Sequence, residues 1–156
     1  MVGRAGTMLQ VSTIVEFFIA PDDRSAAAVL DGGPGRVFES VEDYGNFMPF
    51  EAMVEWESIL TGRSEEELLE AGEPRDVADH GPDGGCMVFA ASSVLQDGLA
   101  GLDQAGLSEM CARWIQLRQE DGEDWDTELV NNMFGDLADL ARTANRQALT
   151  LYCWMA

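Results

Sequence analysis

WDTELVNNMFGDLADLARTANRQALTLYCWMA, residues 125–156, spells one long amphipathic helix followed by one apolar strand. Trp125, Leu129, Val130, Met133, Phe134, Leu137, Leu140, Ala141 and Ala144 recur at steps of three, four and one, which puts them on one face of an α-helix. Asp126, Asp136, Asp139 and Arg142 fall on the opposite face. Asp124, Asp126 and Glu128 crowd the first turn and Arg142 and Arg146 the last, so both ends suit the helix dipole. Asn145 is the expected left-handed stop. Ala148 to Met155 is then apolar enough to predict a mostly buried strand.

Working outward, the 156-residue chain is 46% hydrophobic and 24% charged, the profile of one globular domain over residues 11–156. A domain of this size buries a core without disulfides or metal. Residues 1–10 look like a loose leader, with Met1 and Met8 both candidate starts. The three cysteines, Cys86, Cys111 and Cys153, are unclustered and set in apolar contexts, which predicts reduced, buried thiols in a cytoplasmic protein. No apolar run reaches the length of a membrane helix.

Charge is the extreme feature. Twenty-nine acidic residues face nine basic ones, a net of −20, and every basic residue is arginine. Such a chain is repelled by phosphate backbones and anionic lipid, so neither direct nucleic-acid binding nor membrane binding is expected. The excess either serves solubility alone or forms a negative face for a basic partner, and the latter requires the carboxylates to cluster in space.

Upstream, Val11 to Ile19 is β-branched and aromatic, an expected interior strand. Asp22 can cap a short helix over Arg24 to Leu30. The glycine cluster at 32–35 lacks the Lys and Ser/Thr of a phosphate loop and is taken as a turn. Val37 to Phe47 is ambiguous. Phe50 to Leu60 has helical spacing, with Glu51, Glu55 and Glu57 expected outside and Gly62 ending it. Ser64 and Glu67 form a capping box that opens an acidic helix. Glu73 to Gly85 is the least regular stretch. Cys86 to Ala91 predicts a strand, Ser92 or Ser93 a helix cap, and Leu107 to Leu117 a helix with Cys111 on its apolar face.

Chemistry-bearing patterns are sparse. Glu51 and Glu55 lie four apart on one helix face, a spacing that suits paired carboxylates. The loop over 73–85 holds Asp79, Asp83 and the single histidine, His80, close to Cys86. Entry of Cys86 into an apolar segment argues against a nucleophilic thiolate. No C-x-x-C, H-x-x-x-H, H-E-x-x-H or G-x-S-x-G pattern occurs, so no catalytic residue, metal site or cofactor is assigned.

The order of elements resembles the YfbM-like family, bacterial proteins with a domain of unknown function. The resemblance rests on the N-terminal strand and short helix, Trp56-Glu57-Ser58-Ile59-Leu60-Thr61-Gly62 as W-x3-L-T-G, the helix pair from Val94 to Leu117, the Trp125-led helix and the closing strand. It implies a compact α/β arrangement with helices packed on a mixed sheet, and carries over no catalytic or binding residue.

Three strands alternating with four or five helices independently predict the same α/β (α+β) class: a small mixed sheet covered by helices in one compact domain, its terminal strands interior. The role this favours is a non-enzymatic interaction or accessory protein for a basic protein partner, in its narrowest form an immunity-type inhibitor of a basic toxin. The alternatives are a small-molecule-binding protein or enzyme using the 73–85 loop, with Glu51, Glu55, Asp79, His80 and Asp83 as ligand-binding candidates, and a nucleic-acid mimic. The abundant aromatic and methionine side chains also leave room for a homodimer.

Overall fold

The computed structural model describes residues 14–42, 47–81 and 85–156. Asp83 and residues 1–13, which include the expected leader and the start of the expected first strand, lie outside these. The elements run β1 (Val15–Ala20), α1 (Asp23–Ala27), β2 (Ser40–Glu42), α2 (Pro49–Thr61), α3 (Glu65–Glu70), β3 (Arg75–Asp79), β4 (Met87–Ala90), α4 (Ser93–Ala100), α5 (Gln104–Glu120), α6 (Thr127–Gln147) and β5 (Thr150–Met155). The five strands form one sheet in the order β2-β1-β5-β4-β3. The fold is α+β, and every strand pairing is antiparallel instead of mixed.

The strands at the two ends of the described chain are interior, as their nearly unbroken apolar character predicts. β5 pairs with β1 along its whole length and with β4 on its other side. Alternation then sorts their side chains. Phe17, Ile19, Phe89, Leu151 and Cys153 point into a large core shared with α2, α4, α5 and α6. Phe18, Ala20, Val88, Ala90, Tyr152 and Trp154 point the other way, where Ala26, Val29 and Leu30 cover them. Each large apolar side chain withdrawn from water contributes about 1.5–3 kcal/mol, so a sheet covered on both faces is the stable solution.

α6 buries Val130, Met133, Phe134, Leu137, Leu140, Ala141 and Ala144, the predicted face less Leu129, which is half-buried, and Trp125, which precedes the helix. Asp126 caps its first turn through Leu129 N at 2.9 Å. The stop is Ala148, at φ 58° and ψ 43°, and not Asn145. Asn145 stays helical and accepts a hydrogen bond from Gln96 Nε2 at 2.9 Å.

Two strands arise where none was expected. β2 occupies part of the ambiguous stretch, and β3 lies within the segment read as irregular. Gly33 adopts φ +85° in the expected turn and lies so close to Trp154 that a Cβ would sit 2.9 Å from its ring. Trp154 Nε1 in turn donates to Leu30 O at 2.9 Å, which fastens this turn to the sheet. Among the described residues no helix is long and apolar enough to cross a membrane.

Candidate functional site

α2 was expected to show Glu51, Glu55 and Glu57 to solvent. Glu51 is exposed, but Glu55 and Glu57 are 6% and 3% exposed. α2 packs against α3, α4 and α5, so its polar side is enclosed as well as its apolar one. Burying a carboxylate is costly unless it is paired. Both are. Glu55 Oε1 accepts from Trp114 Nε1 at 2.8 Å, and Glu55 Oε2 lies 3.0 Å from Arg118 Nη2. Glu57 Oε1 accepts from Ser92 Oγ at 2.8 Å, so the serine that caps α4 also ties that helix to α2.

Arg118 is the hub of the first arrangement. Only 8% exposed, it also pairs with Asp121 and reaches Glu123 Oε2 at 3.4 Å, both in the turn between α5 and α6. Burial raises the Glu55 carboxyl above the usual glutamate range despite the Trp114 hydrogen bond and the Arg118 charge, with smaller contributions from Glu65 and Glu51. Carboxylates from α2 and the α5–α6 turn thus converge on one guanidinium. Beneath them lies an aromatic cluster in which Trp114 meets Trp56 at 5.7 Å and Trp125 at 5.0 Å, while Trp56 meets Phe134 at 5.3 Å. Edge-on and tilted contacts of this kind add about 0.5–1.5 kcal/mol each beyond the area they bury.

The other candidate residues sit elsewhere. Asp79 ends β3, and its side chain accepts from Gly81 N at 2.6 Å, shaping the turn. His80 Nε2 pairs with Asp31 Oδ1 at 2.6 Å, both side chains being exposed. The His80 and Cys86 backbones meet at 3.3 Å, but the ring is committed to Asp31 and not to the thiol. Glu51 and Glu55 therefore share a neighbourhood with each other, while Asp79 and His80 belong to the sheet edge.

On the far face of the sheet Asp23 accepts from Tyr152 Oη at 2.8 Å and pairs with Arg75. Arg75, then Tyr152, hold the Asp23 carboxyl below its usual range, whereas burial first and Asp23 second push the Tyr152 phenol up. Alongside, a cavity of about 320 Å³ opens between β3, α4 and the junction of α6 with β5, walled by Glu73, Arg75, Ser92, Ser93, Asp97 and Asn145. A second cavity of about 500 Å³ follows the α5–α6 groove. Among the described residues its one titratable wall group is Cys111, whose thiol burial pushes up.

Arg118, Trp114, Glu57 and Glu73 were not singled out from sequence. Trp114 and Arg118 lie four apart on α5, so one polar group followed the helix's apolar face inward, and that spacing was the available signal. Among the described residues no group of three or more His, Cys, Asp or Glu is placed to hold a metal ion. No family model, curated protein or solved structure matches the chain.

Proposed function

We propose that this is a non-enzymatic interaction protein that docks a basic protein partner against the carboxylates gathered around Arg118. The observation that carries this reading is the convergence of Glu55 from α2 with Asp121 and Glu123 from the α5–α6 turn on Arg118, with the charges of Glu51 and Glu65 near enough to Glu55 to add to its raised affinity for a proton. Clustered charge of one sign steers an oppositely charged partner and sets the salt dependence of its capture. Arg75, Arg113, Arg118 and Arg142 are ion-paired with the chain's own carboxylates, so they add little positive potential of their own.

In its narrower form the proposal is an immunity-type inhibitor of a basic toxin, acting in the cytoplasm. It extends to kinship with the YfbM-like proteins, supported by the Trp56–Gly62 segment, which falls at the end of α2 with Gly62 as its left-handed cap. The test is affinity capture from lysate with the full chain at low and at raised salt. A basic protein held at low salt, released by salt, and lost when Glu51, Glu65 and Glu123 are changed to Gln is the expected result. An empty low-salt eluate overturns the proposal.

A further inference from the structure

The contacts around Arg118 close into a circuit. Glu55 accepts from the Trp114 indole, Trp114 meets Trp125 at 5.0 Å, and Trp125 Nε1 donates to Glu123 Oε1 at 2.9 Å. Glu123 Oε2 faces Arg118, and Arg118 returns to Glu55. α2, α5 and the turn before α6 are thus joined through a single buried carboxylate and the guanidinium that it shares with the turn.

Both oxygens of Glu55 face groups that can only donate: Oε1 meets the fully buried Trp114 N–H, and Oε2 meets the Arg118 guanidinium. The ionised carboxylate serves both. A proton on either oxygen sets donor against donor, and Arg118 is the partner that yields. Trp114 Nε1 has no other acceptor among the described residues, whereas Arg118 already holds the exposed Asp121 and Glu123. Its Nε, buried without a hydrogen-bond partner among the described residues, does not tie the guanidinium to its present aim.

The charges that bear on Glu55 are Arg118 from α5, Glu65 from α3 and Glu51 from α2 itself, while α4 sends Ser92 to Glu57. Burial favours the proton most, the Trp114 hydrogen bond and Arg118 oppose it, and Glu65 and Glu51 add to it, so the carboxyl is lifted above the usual glutamate range.

We propose that Glu55 is a proton-operated latch: ionised, it holds Arg118 between α2 and the α5–α6 turn, and protonated, it releases the guanidinium to Asp121 and Glu123. Drawn closer to Arg118, Glu123 changes its bond to Trp125, so a proton at α2 is felt in the turn. The latch itself needs no partner. For the docking proposed above, and resting on that reading, acid draws Arg118 onto two of the carboxylates that a basic partner would use.

The experiment is a pH titration of the full chain, free of any partner, followed by the ¹³C resonance of the Glu55 carboxyl and the indole ¹⁵N–¹H resonances of Trp114 and Trp125. The expected result is a step in all three at one shared midpoint, with the Trp125 step lost in Glu55→Gln. In Arg118→Met, Trp114 should still follow the Glu55 carboxyl while Trp125 no longer does, because the guanidinium carries the signal. If these variants do not fold, Glu123→Gln at the surface decides. It keeps an acceptor for Trp125 and removes the charge that draws Arg118, so the Trp125 step should fall by at least half. A Trp125 resonance that ignores the Glu55 midpoint in the parent, that still follows it in Arg118→Met, or that keeps its full step in Glu123→Gln overturns the proposal. An empty lysate capture, by contrast, removes the docking and leaves the latch standing.

Discussion

Trp114 hands its indole hydrogen to Glu55 at 2.8 Å, and the second oxygen of the same carboxylate lies 3.0 Å from Arg118. α2 and α5 are therefore joined through a charged pair set into an aromatic wall. Removing one member of a buried pair strands the other, whereas replacing both by apolar groups does not. Glu55→Leu should cost about 3 kcal/mol or more. The double variant Glu55→Leu/Arg118→Leu should cost less than the sum of the singles, with a coupling on the order of 1–3 kcal/mol. Urea unfolding of the four proteins measures this, and additive losses would show that the pair does not act as a unit.

The same carboxyl sets a pH dependence of unusual sign. Because the folded Glu55 holds its proton more tightly than an unfolded glutamate, its contribution is fully present below the unfolded value of about 4.3 and is lost as pH rises through the folded value. Asp23, held below its usual range, behaves oppositely: its contribution is present above the unfolded value of about 3.9 and is lost as pH falls through the folded one. The stability of the parent relative to Glu55→Gln should decline between acid and neutral pH. Arg118→Met should move the Glu55 midpoint further up, because a charge that lowers it is gone, and carboxyl ¹³C titration reads this directly.

Two left-handed positions give opposed outcomes. Ala148 closes α6 at φ 58°, where an L side chain is disfavoured, so Ala148→Gly should stabilise by about 0.5–1 kcal/mol. Gly33 combines φ +85° with the Trp154 ring at 2.9 Å from a built Cβ, whereas Gly32 at φ +96° has nothing within 4 Å. Gly33→Ala should therefore cost about 1–3 kcal/mol beyond Gly32→Ala, and shift the Trp154 fluorescence. Equal losses at 32 and 33 would mean that the ring yields freely.

Thiol accessibility separates the three cysteines. Cys111 and Cys153 are buried and their thiols pushed up by burial, while Cys86 is half-buried where the chain enters β4. A thiol reagent applied to the native protein should label Cys86 first, the other two reacting only on unfolding. Rapid modification of Cys153 in the native state would contradict its place in the central strand.

The elements that could be read from the chain are those whose own periodicity decides them. α6 and β5 carry their burial pattern in plain sight, and Ser64 with Glu67 announces the start of α3 by two reciprocal bonds. β3 was hidden because Arg-Asp-Val-Ala-Asp is an edge strand with a register shift between Asp76 and Ala78, charged at both ends and between a proline and a glycine. Glu55 and Glu57 were misplaced for a different reason. Helical spacing says which residues share a face, but not that α3, α4 and α5 would close over the polar one. Their partners, Arg118 and Ser92, lie 63 and 35 residues further along, beyond the reach of any local pattern.

The place of β5 has a consequence for how the molecule is made. It is the last of these strands to emerge from a ribosome, yet it is the one that joins the β2-β1 pair to the β4-β3 pair. Until residues 150–155 arrive, β1 and β4 each present an unsatisfied edge, and apolar side chains such as Phe17 and Phe89 lack their cross-strand neighbour Cys153. Nascent chains are thus exposed to edge-to-edge association until this strand pairs, which gives chaperones that shield open strands a defined window in which to act.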